Sequence, residues 1–100
     1  AEAHRLYQKI KTLNFYVQFR QRKGQQPLDE IEACLRDAER HGDRLLVFLC
    51  HIMMQLAPQA YRQHPDTDLL LSMGSQLGNY YYGWALDQIC YYYTIGLNDN

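Results

Sequence analysis

DRLLVFLCHIMMQLAP, residues 43–58, is the stretch that decides the fold. Asp43 can cap a helix by accepting a hydrogen bond from the first free N–H groups. Behind it, Leu45, Leu46, Val47, Phe48, Leu49, Ile52, Met53, Met54 and Leu56 cover every side of a helical wheel. A helix that is apolar all round is a buried one, so this segment is expected to be the central element of an all-α domain. Pro58, which has no N–H to donate, ends or kinks it. The run from Leu45 to Met54 is about half the length of a membrane-spanning helix and contains His51.

Working outward, the residues before Asp43 read as a second helix. It opens with Pro27 in its first turn and Asp29 and Glu30 at the positive end of the helix dipole. Its inner stripe is Ile31, Cys34, Leu35 and Ala38, and Gly42 ends it. The first helix is expected from about Ala3 to Lys23 with Gly24 as its cap. Leu6, Ile10, Leu13 and Val17 recur at spacings of four, three and four, the pattern of an inward stripe. Gln59 to His64 can add one turn before Pro65. From Asp66 or Thr67 to about Ile95 a fourth helix is expected, roughly 40 Å long at 1.5 Å per residue. Gly74, Gly78 and Gly83 each weaken it, and a break near Gly78 or Gly83 is open. No segment alternates with period two. The expectation is therefore a four-helix, all-α domain spanning 1–100, with a hydrophobic third helix, a long C-terminal helix and a tendency to dimerise.

Two faces exceed what one copy of such a domain can bury. In the fourth helix, Leu70, Met73, Leu77, Tyr81, Trp84, Tyr91 and Ile95 form a core stripe. The opposite side starts polar and then turns to Tyr82, Leu86, Ile89, Tyr93 and Leu97, a candidate dimer interface. Nine tyrosines stand in the chain, six of them in the triplets 80–82 and 91–93. Tyrosine joins an apolar ring to a polar tip and is enriched at interfaces. Tyr80 and Tyr92 point to the flanks and are candidate partner contacts. On the first helix Phe15 and Phe19 lie opposite the aliphatic stripe, with Lys11 and Arg22 beside them. That is a candidate hot spot for an acidic, apolar-edged protein.

The net charge of −1 conceals an asymmetry. Arg5, Lys9, Lys11, Arg20, Arg22 and Lys23 face Glu2 alone in the first 24 residues, and acids dominate thereafter. The halves can complement each other within the fold or across a dimer. A basic end can also meet nucleic acid, with Phe15 and Phe19 stacking bases, which is the second reading. Cys34, Cys50 and Cys90 are odd in number and lack a close pair. They read as buried, reduced thiols of a soluble cytoplasmic protein, and the first residues lack the apolar core of a secretory leader.

Catalytic patterns are scarce. No phosphate-binding glycine loop, HExxH, nucleophile elbow or EF-hand occurs. His4, His41, His51 and His64 are scattered, and no metal or cofactor is expected. Arg44 and His51, with six residues between them, resemble the Arg-x(4–6)-His motif of HEPN ribonucleases, which are also small helical dimers. That resemblance covers eight residues and implies RNA cleavage by Arg44 and His51, although Leu45 stands where the motif often has a polar residue. The leading expectation is a non-enzymatic regulator, adaptor or inhibitor. It would bind another protein, a transcription regulator or its dimer interface being one such target, through an aromatic-rich helical surface.

Overall fold

The computed structural model describes residues 2–21, 27–56 and 65–96, without the side chains of 95 and 96. The order is α1 (Glu2–Gln21), α2 (Leu28–Arg40), α3 (Arg44–Leu56), α4 (Thr67–Leu77) and α5 (Asn79–Tyr91), closed by a π-helical turn over Tyr92–Gly96. Among the described residues there is no strand. The expected caps at Gly24 and the turn at 59–64 lie outside the described residues, as do Arg22 and Leu97.

α3 is the centre. Leu46, Phe48, Leu49, Cys50, Ile52, Met53 and Leu56 are buried, and Leu45, Val47 and Met54 pack half-buried against the same core. The α2–α3 turn follows from one glycine. Gly42 takes φ +66°, its N–H reaches Glu39 O at 3.2 Å, and the Asp43 N–H reaches Ala38 O at 3.0 Å. These two bonds satisfy carbonyls that the end of α2 would otherwise leave open, in the Schellman arrangement. Asp43 then caps α3 through the Leu46 N–H at 3.3 Å, as its side chain leads one to expect.

The expected long fourth helix is two helices. Gly78 stands at φ +129°, ψ +169°, a region essentially restricted to glycine, and the chain reverses there into a hairpin. At the hairpin, Gly74 lets the backbones touch: a Cβ on Gly74 would lie 2.9 Å from Tyr81 O. The break falls at Gly78, one of the two positions the sequence left open, and it resets the helical phase. Residues before and after it therefore do not share one wheel. That is why Tyr92 and Ile89, expected at a partner contact and a dimer face, are buried in the core instead.

α1 is inverted relative to expectation. Phe19 is 1% exposed and Thr12 is buried beside it, whereas Leu6, Ile10, Leu13 and Val17 stand 58%, 52%, 46% and 51% exposed. α1 carries two apolar faces, and a wheel does not say which one turns inward. The aromatic face turns inward, and its flanks bond to the rest of the fold. Lys9 Nζ lies 3.2 Å from Asp43 Oδ2 on one side, and Lys11 Nζ lies 3.2 Å from Glu30 Oε2 on the other. His4 Nε2 approaches Asp37 Oδ1 at 3.7 Å, and the Cys34 thiol donates to Gln8 Oε1 at 3.6 Å. The opposite charges of the N-terminal and following segments thus meet inside one chain.

Candidate functional site

Beside the inverted α1, an open groove of about 200 Å³ runs between α1, α3 and α5. Its walls are Leu13 and Tyr16 of α1, Leu45 and Leu49 of α3, and Tyr80, Tyr81 and Trp84 of α5. The rings are held in place by one another. Phe48, wholly buried, meets Trp84 at 5.7 Å between centroids and Tyr81 at 6.3 Å, both edge-on. Trp84 in turn meets Tyr16 at 5.5 Å, and Tyr80 sets its edge against Tyr81 at 5.1 Å. Such tilted and edge-on pairs are the arrangements that aromatic quadrupoles favour. A rigid aromatic wall results.

Arg20 Nη1 donates to the hydroxyl of Tyr16, one of the groove's walls, at 3.0 Å, so a cation accompanies the apolar slot. Small-molecule sites run roughly 300–1,000 Å³ and are mostly enclosed. The groove is smaller and open, a size that suits one large apolar side chain presented by a macromolecule.

No protein-family model matches this chain, and neither a curated protein nor a solved structure does.

Of the residues expected to bind a partner, Tyr80 stays at the surface, 75% exposed on the groove rim. Phe19 and Tyr92 are buried and Phe15 packs against the core, so the expected Phe15–Phe19 hot spot is not a surface feature. Lys11 is bonded to Glu30 and lies about 6 Å from the Tyr7 and Phe15 rings. The Glu30 carboxylate holds its ammonium above the usual lysine range. Of the expected dimer face, Tyr82, Leu86 and Tyr93 are exposed, and Ile89 is not. Leu13, Tyr16, Leu45, Leu49 and Trp84 were not foreseen as a site. Their convergence depends on the hairpin at Gly78 and on the roll of α1, which no local spacing encodes.

Arg44 and His51 share one side of α3, two turns apart. Arg44 is exposed and, with Gly42, Val47, Met73, Gln76 and Leu77, lines a second depression of about 220 Å³ between α3 and α4. Burial pushes the half-buried His51 imidazole below its usual range, with Glu39 partly opposing. Cys50, beside it, is pushed up to about 12, chiefly by burial. A thiol so protonated is a poor nucleophile and a poor metal ligand. Cys34 is buried as well, but Cys90, expected inside, is exposed on the outer side of α5. Among the described residues no group of three or more His, Cys, Asp and Glu is placed to hold a metal, and no helix is long and apolar enough to cross a membrane.

Proposed function

We propose that this chain acts by occupying a surface of another protein, without catalysis of its own. It uses the Leu13–Tyr16–Leu45–Leu49–Tyr80–Trp84 groove to seat an apolar anchor of that partner. The observation that carries the reading is the groove itself: a preformed, open aromatic slot beside a helix whose outer stripe is aliphatic. Hot spots of protein interfaces are pockets of this kind, filled by one aromatic or aliphatic anchor and ringed by polar groups. The Arg20 guanidinium beside Tyr16 favours a partner segment with carboxylates beside its anchor, an amphipathic acidic helix being the simplest example. A regulator, adaptor or inhibitor works in this way, because covering a surface blocks or bridges whatever else would bind there.

Selection from a displayed library of helical peptides tests the reading. The expected winners carry a large apolar anchor flanked by Asp or Glu. Tyr80→Ala should weaken them by about tenfold, the loss of one good interface contact. Tyr82→Ala, on the far flank of α5, should leave them unchanged. Selected peptides that bind the Tyr80→Ala protein as well as the original, or a library that returns no binder, would sink the reading.

A further inference from the structure

The outer stripe of α1 makes a separate surface. Leu6, Ile10, Leu13 and Val17 lie within an arc of about 60° at 100° per residue, all about half exposed or more. We propose that a second copy of this chain covers the stripe, α1 packing antiparallel on the partner's α1 about a two-fold axis between residues 11 and 12.

Two features choose this occupant. First, the spacing four, three, four reads the same in both directions. An isologous interface requires that property, since each residue must meet the image of another. The axis sets Leu6 against the partner's Val17 and Ile10 against the partner's Leu13, four aliphatic side chains from each copy in one seam.

Second, the charges match. Glu2 is the one acid of α1. Arg20 lies 18 residues on, five full turns at 3.6 per turn, and so stands on the same edge of the stripe. In an antiparallel pair like edges meet, and the axis brings Glu2 of each copy beside the partner's Arg20. Of the cations near that edge, Lys9 is engaged by Asp43 of its own chain. The other edge carries Ala3, Tyr7, Asn14 and Gln21, without charge. A parallel pair would set each Glu2 near the same end of its partner, with no opposite charge to meet.

The inference stands apart from the groove reading. It rests on the outer stripe, with Leu13 and Arg20 common to both surfaces, and the copies meet on α1, not on the C-terminal face that the sequence favoured.

Light scattering over a dilution series is the test. The mass should double from 11.9 kDa as concentration rises. Ile10→Glu should hold the protein monomeric over the same range, with its circular dichroism and its groove-peptide binding unchanged. That retained binding separates a failure here from a failure of the proposed function. Glu2→Arg, an exposed position outside the core, should raise the dimer dissociation constant by about tenfold, and Glu2→Arg/Arg20→Glu should restore it. Three results overturn the inference: wild type monomeric at millimolar concentration, a dimer indifferent to Ile10→Glu, or a double charge reversal that fails to restore pairing. The first would leave the stripe to a different protein or to no partner.

Discussion

His51 occupies the one position in α3 where an ionisable ring sits within an apolar helix, and the cost of charging it there sets a pH dependence. Its imidazole titrates below the ordinary 6.5 because burial disfavours the cation. An unfolded chain therefore binds a proton at His51 that the folded chain refuses. Stability should rise with pH between the depressed folded value and about 6.5, and this contribution should be flat above that. Thermal melting of wild type and His51→Gln from pH 5 to 8 checks it: the variant should lose part of the acid-side slope. An unchanged slope would mean that His51 does not carry it. The burial of Phe48, Ile52 and Met53 could be read in advance, because no side of α3 is polar enough to face water. The burial of Phe19 could not, because its helix offers two apolar faces and the choice between them depends on residues of other elements.

At the scale of elements, three glycines in one sequence segment have three different roles. Gly74→Ala drives a methyl toward Tyr81 O and should cost roughly 1–3 kcal/mol by overpacking. Gly78→Ala has open space around it but an ill-suited backbone, and should cost about 1–3 kcal/mol through strain. Gly83, inside α5 with no atom within 4 Å of an added Cβ, should gain up to about 1 kcal/mol on substitution by Ala. Urea unfolding midpoints of the three variants give the order; a destabilising Gly83→Ala would mean that α5 is not a free helix surface there. Helices α2 and α3 were legible from Pro27, Gly42 and Asp43, whose chemistry is local. The division of the fourth helix was legible only as a choice of glycines. Selecting Gly78 takes the contact across the hairpin between Gly74 and Tyr81, residues that meet only after the turn has formed.

For the whole molecule, part of the uneven charge of the chain is settled between α1 and the α2–α3 pair, through Lys9–Asp43 and Lys11–Glu30. These partly exposed ion pairs weaken as salt shortens the screening length from about 10 Å to about 3 Å. Hydrogen exchange on dilute protein should accordingly show α1 amides losing protection in molar sodium chloride while those of α3 keep theirs. Equal responses would mean that apolar contacts alone hold α1 down. The all-helical class and the buried third helix could be read from composition and period. The groove could not, since it is assembled from three helices whose mutual rotation depends on every turn between them.

One ring in that groove has a practical consequence. Trp84 is the sole tryptophan among nine tyrosines, wedged between Tyr16 and Phe48 at the floor of the slot. Its ultraviolet emission is thus an intrinsic optical gauge of the slot's wetness. Excited tyrosines nearby will funnel energy to it, and any visitor that displaces water from its indole will register as a change of colour without a label being attached.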